Sequence, residues 1–140
     1  MFIDTNVLVY ARVLEAPDHR TARARLDWAS HQSEPLRISR QVVREYLAVV
    51  TRPQHWPVTI AREAALADAK RMISAFEILE DGPLVTDTLI ALCQEFAVAG
   101  KQIHDANIVA TMLAHGERRI LTFNRADFRR FTDRIELVDG

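Results

Sequence analysis

Apolar and polar positions follow two rhythms along this chain. Short apolar runs of strand length fall at Phe2–Ile3, Leu36–Ser39, Phe76–Leu79, Arg119–Phe123 and Ile135–Val138. Longer stretches between them have helical spacing. The first runs from about Asn6 to Leu14. The second covers Thr21 to Ser30, after a start signal at Pro17 and Asp18. The third spans Gln41 to Thr51 and is stopped by Pro53 and Pro57, and the fourth runs from about Thr59 to Ala75. Gly82-Pro83 breaks the pattern. A fifth helix then places Val85, Leu89, Leu92, Cys93 and Phe96 on one face, with Gly100 closing it. A sixth runs from Asp105 to His115, closed by Gly116, and a short last one covers about Arg125 to Phe131. Strands alternating with helices predict an α/β fold, a parallel sheet covered on both faces. Ligands of such sheets bind beyond the carboxyl ends of the strands.

Composition adds bounds. At 140 residues, with no repeat or linker, the chain reads as one domain, 1–140. Apolar residues make up 49%, enough for a core without disulfides. The single cysteine, Cys93, excludes an internal disulfide and a cysteine-based zinc site. No apolar run approaches membrane-spanning length, and the opening Phe2–Ile3–Asp4 leaves no room for a signal peptide, so a soluble cytoplasmic protein with no membrane partner is expected. The net charge of −1 argues against a bulk polyanion binder. Lys70 and Lys101 are the only lysines, which leaves 16 of the 18 basic residues as arginine, the better phosphate fork. Several arginines concentrate between Arg118 and Arg134, either as a basic surface or as a solvated helix face.

Four acids stand out against this pattern. Asp4 follows the first apolar run directly, where the first strand ends. Helix capping is the competing explanation, although Thr5 or Asn6 could serve as the cap instead. Glu45 borders the apolar arc of Val42, Val43, Tyr46, Val49 and Val50, close enough to aim into a crevice. The alternative is a surface glutamate paired with Arg44 or Arg52. Asp105 precedes Ile108, Val109 and Met112 by three, four and seven residues, so it lies on their apolar stripe. A charge there needs a cation or donors. First-turn capping favoured by the helix dipole is the alternative. Asp127 comes after an apolar run and the polar residues Thr122 and Asn124, and Asn124 could cap its short helix. In a parallel sheet all four acids can converge at one edge. Clustered carboxylates repel unless a cation sits among them, and oxygen-only ligands suit Mg²⁺ or Mn²⁺. No Walker loop, GxGxxG, GxSxG or HExxH occurs, and the histidines show no metal-ligand spacing.

Asp4-Thr5-Asn6 at the first strand end, a glutamate in the helix after the second strand, the run His104-Asp105-Ala106-Asn107-Ile108-Val109-Ala110, and the closing segment Thr122 to Phe128 together resemble PIN-domain ribonucleases. The similarity is greatest to the toxin half of VapBC-type toxin–antitoxin pairs. It extends from Asp4 to about Phe131. It implies a three-layer α/β/α fold around about five short parallel strands, with Asp4, Glu45, Asp105 and Asp127 as the catalytic acids. Thr5, Asn6, Thr122 and Asn124 match the family's supporting polar positions; some relatives carry an aspartate where Asn124 stands. The resemblance further implies Mg²⁺- or Mn²⁺-dependent cleavage of RNA, a homodimer, and a small antitoxin partner.

On this basis the chain is expected to be an endoribonuclease in which Asp4 and Asp105 bind the metal directly and Glu45 and Asp127 complete the site. Arg125 is the candidate guide for the RNA backbone. Tyr46, Trp56 and the run from Val58 to Ala69 suggest a groove for an antitoxin tail. Two other functions compete: a non-catalytic protein-binding module, whose acids only cap helices, and a flap-nuclease-like enzyme acting on DNA.

Overall fold

The computed structural model describes residues 1–53, 56–57 and 60–139. Five short strands form one parallel sheet: β1 (Phe2–Ile3), β2 (Arg37–Ser39), β3 (Glu77–Leu79), β4 (Arg119–Leu121) and β5 (Glu136–Val138). Their spatial order is β3-β2-β1-β4-β5, with Phe2 beside both Arg37 and Ile120. Phe2, Ile3, Ile38, Ile120 and Leu121 are fully buried, as expected of strands covered on both faces.

The helices are α1 (Thr5–Arg12), α2 (His19–Ser30), α3 (Arg40–Val50), α4 (Arg62–Ala75), α5 (Pro83–Glu95), α6 (Gln102–Ala114) and α7 (Arg125–Phe128), the last continued by a 3₁₀ turn at Arg129–Phe131. Helix α1 packs on α2 and α3, α3 packs on α4, and α5 packs on α6. The chain steps outward from β1 to β3, then returns across the sheet to β4 and β5. Right-handed crossovers therefore place α1–α4 and α5–α6 on opposite faces, which gives the three-layer α/β/α arrangement.

Several boundaries differ from the sequence expectation, each for a local reason. The run at Arg119–Phe123 leaves the sheet after Leu121, because the Thr122 side chain turns to bond Asp4. Phe76 is the C-cap of α4 rather than a strand residue. The expected start of the fourth helix, Thr59, lies outside the described residues. Helix α6 begins three residues before Asp105, and Gly100 stands in the loop before α6 at φ 58° instead of closing α5. Gly116 does close α6. It takes φ 71°, its amide bonds the Leu113 carbonyl, and the Glu117 amide bonds the Met112 carbonyl at 2.8 Å, a Schellman end.

Candidate active site

The chain reverses its direction of travel across the sheet between β1 and β4. In open α/β sheets such a switch point leaves a crevice beyond the strands' carboxyl ends. Asp4 follows β1 and Thr122 follows β4, so the two stand side by side there. The Asp4 amide bonds the Leu121 carbonyl, and the Thr122 hydroxyl donates to Asp4 Oδ2 at 2.6 Å.

Asp4 is 4% exposed, and both its carboxylate oxygens accept hydrogen bonds. Its Oδ1 accepts from the Thr5 amide at 2.7 Å, so Asp4 itself is the cap of α1. Its Oδ2 also accepts from Asn6 Nδ2 at 2.7 Å. The same residue thus caps α1 and stands at the crevice. Asn6 reaches back across the switch point, since its Oδ1 accepts from the Phe123 amide at 3.0 Å. Thr5 turns the other way and donates to Glu45 Oε2 at 2.8 Å.

Glu45 is no free surface glutamate, and no ion pair with Arg44 occurs. Its other oxygen accepts from Gln41 Nε2 at 2.7 Å. The same Nε2 donates to the His104 carbonyl at 2.9 Å, and Gln41 Oε1 accepts from Asn107 Nδ2 at 2.8 Å. One buried amide therefore ties the helix of Glu45 to the helix of Asp105. The sequence reading did not select Gln41 or Asn107. The available signals were position alone: Gln41 is one helical turn before Glu45, and Asn107 is two residues after Asp105.

Asp4, Glu45 and Asp105 line a common cavity of about 460 Å³, together with Thr5, Asn6 and Asn124. Tyr10 and Trp56 also line it, with Val9, Ala48, Val49 and Arg52. Tyr10 meets Trp56 edge-to-face at 6.2 Å and Phe123 at 5.3 Å, and the Arg25 guanidinium lies 4.7 Å over the Phe123 ring. Asp127 is exposed and does not line the cavity, but its charge acts on Asp105. Asn124 makes no side-chain cap to α7; its amide bonds Thr122 Oγ1 at 3.0 Å. Arg125 is held by Asp139 at 2.6 Å and lies outside the cavity lining. Tyr46 is fully buried at the floor of a separate cavity, which Leu8, Met72 and Phe76 also line, and it donates to the buried Asp68 carboxylate, which also binds Arg12 and Arg71.

The acids are under electrostatic stress. Burial pushes the Asp4 carboxyl up to about 6; bonds from Thr122 and Thr5 oppose this, and Glu45 and Asp105 add to it. Asp105 is also pushed up to about 6, by burial first and then by Asp127 and Glu45, with His104 and Arg130 opposing. Its carboxylate accepts no hydrogen bond from any described residue. Among the described residues, no three His, Cys, Asp or Glu side chains are grouped so that together they could hold a metal ion. The donor set nevertheless fits Mg²⁺ or Mn²⁺, which take oxygen ligands. Mg²⁺ in particular binds through one or two carboxylates and keeps several waters.

Carboxylates thus gather at the switch point of a doubly covered parallel sheet. The PIN domain profile matches residues 1–133, and the chain belongs to that family. Ribonuclease VapC24 of Mycobacterium tuberculosis (strain CDC 1551 / Oshkosh) is 27% identical over 135 residues, which cover 92% of this chain and 89% of that protein. Among solved structures, VapBC2 from Rickettsia felis bound to a DNA fragment from its promoter superposes with a TM-score of 0.71 at 20% identity, covering 99% and 98% of the two chains. Mycobacterium tuberculosis VapC20, a Sarcin-Ricin loop cleaving toxin, has a TM-score of 0.68 at 21% identity, covering 91% of this chain and 92% of that one.

Proposed function

We propose that residues 1–140 act as one nuclease domain, a Mg²⁺- or Mn²⁺-dependent endoribonuclease that is the toxin of a VapBC-type pair. The observation that carries this reading is the set of three carboxylates on one cavity, two of them pushed up to about 6. Similarity to a protein named a ribonuclease favours RNA as substrate over the DNA-nuclease and binding-module readings.

Asp4 and Asp105 would hold the ion, with Glu45 and Asp127 completing its surroundings. A divalent ion there supplies an acidified water and charge neutralisation at the phosphoryl oxygens. The protein's own groups do the rest. Thr5, Asn6 and Thr122 fix the plane of the Asp4 carboxylate and leave a lone pair on its Oδ1 for a ligand. Thr5 and Gln41 fix Glu45 from both sides, which keeps it an acceptor aimed at the cavity.

The superposition on chains from VapBC complexes supports a small antitoxin as partner, and a cytoplasmic homodimer completes the proposal. Two assays test it. Purified protein should cut single-stranded RNA in Mn²⁺ and stop in EDTA, and expression in bacteria should arrest growth unless Asp4 is changed to Ala. Cleavage that persists in chelator refutes the metal mechanism. Wild type as harmless as Asp4→Ala refutes the toxin assignment.

A further inference from the structure

Glu45 borders two cavities. Beside the one it shares with Asp4 and Asp105 lies a second, of about 430 Å³, lined by Gln41, Arg44, Leu89, Ile103, His104 and Asn107. We propose that this second cavity receives one nucleotide of the RNA strand, with its phosphate on Arg44 and its base against Ile103 and Leu89. This proposal rests on the ribonuclease reading above.

Three features support it. First, the cavity has room for a nucleotide, and Glu45 joins it to the acids, so a strand crossing Glu45 places adjacent backbone beside them. Second, the polar groups are available. Arg44 is exposed and makes no hydrogen bond or ion pair with any described residue. Arg40, one turn earlier on the same helix, is by contrast bonded twice to Glu80, and Arg130 is bonded to Gln102 and the Ala97 carbonyl. Asn107 gives one amide hydrogen to Gln41, which orients the group and leaves its Oδ1 as an acceptor for a base amino group. Third, the lining is mixed. Half-buried Ile103 and Leu89 offer an apolar surface for one face of a base, while the guanidinium supplies a phosphate fork. Single-stranded RNA is recognised by this combination of base packing and backbone charge.

The test uses a fluorescein-labelled 12-nucleotide single-stranded RNA, read by anisotropy in Ca²⁺, with gels to verify that the strand stays intact. Arg44→Ala should bind about five- to tenfold more weakly, and its salt dependence should lose a slope of about 0.7, the share of one phosphate contact. Arg44→Lys should recover part of the loss. Arg20→Ala, which removes an equal charge from a residue lining neither cavity, should change binding less than twofold. A single neutral methylphosphonate moved along the RNA should weaken binding to wild type at one position, and that penalty should vanish in Arg44→Ala. Equal binding by Arg44→Ala and wild type overturns the subsite, as does an equal loss in Arg20→Ala. Cleavage of the same RNA in Mn²⁺ separates the two levels. Cleavage without the coupling overturns the subsite alone. Coupling without cleavage sustains the subsite and refutes the ribonuclease reading.

Discussion

Asp105→Asn should stabilise the metal-free protein while abolishing its activity. The carboxylate sits half-buried, accepts no hydrogen bond from any described residue, and faces Asp127 and Glu45. Its rise from 3.8 to about 6 corresponds to at most about 3 kcal/mol against the charged form. Solvent screening of a half-buried group reduces this to about 1 kcal/mol. Between about pH 4 and 6 the folded protein binds more protons at this group than the unfolded chain does. Stability therefore falls as pH rises through that window. Below the window both states are protonated and the penalty is absent; above it the penalty is complete and constant. Asparagine carries no charge at any pH. In chelator at pH 7.5 the variant should melt about 3 °C higher than wild type, and the gap should close by pH 4. Adding Mg²⁺ should raise the wild-type melting temperature more than that of the variant. Scanning calorimetry at the two pH values measures all of this. A variant less stable than wild type at pH 7.5, or a gap of the same size at pH 4, would show that Asp105 is not a strained member of a carboxylate cluster.

Three further outcomes follow from the geometry. Gln41→Leu strips partners from Glu45, the His104 carbonyl and Asn107 together, so it should cost about 2 kcal/mol and reduce RNA cleavage at least tenfold, measured by chemical melts and initial rates. Glu117 is buried; desolvation raises its carboxyl, but bonds from the Arg119 amide, the α-amino group and Arg37 outweigh this and hold it below the ordinary range. Its contribution is therefore present above its unfolded pKa and lost as pH falls through the folded one, and Glu117→Gln should cost about 3 kcal/mol at pH 7 in a denaturant titration. Gly116→Ala meets no neighbouring atom within 4 Å, so only the left-handed backbone is penalised, at about 1 kcal/mol, with activity unchanged.

Much of this protein is determined by local pattern. Strand runs buried on both faces and helices with one apolar face can satisfy themselves only as a covered parallel sheet, and the acids at strand ends then fall at its carboxyl edge. Asp4 could be placed from sequence, because it follows its strand directly, whereas Thr122 falls inside the expected run Arg119–Phe123 and only its bond to Asp4 sets it beyond the strand end. Thr5 and Asn6 follow Asp4, and Asn124 follows Thr122. Tertiary packing decided what local pattern could not. Gln41 reads as an ordinary polar helix position until α6 brings His104 and Asn107 against it, 63 and 66 residues away. Tyr46 shares its apolar arc with partly exposed Val43 and Val49, yet Asp68, 22 residues on, takes its hydroxyl into the core. Arg125 and Arg44 look equivalent in the sequence as helical cations, but the chain returns Asp139 to the first and leaves the second open beside Glu45. Helical and strand periodicity record which face is buried. They carry no information about which distant residue supplies the partner, and that partner decides whether a polar side chain orients a carboxylate, supports the core or waits for a ligand.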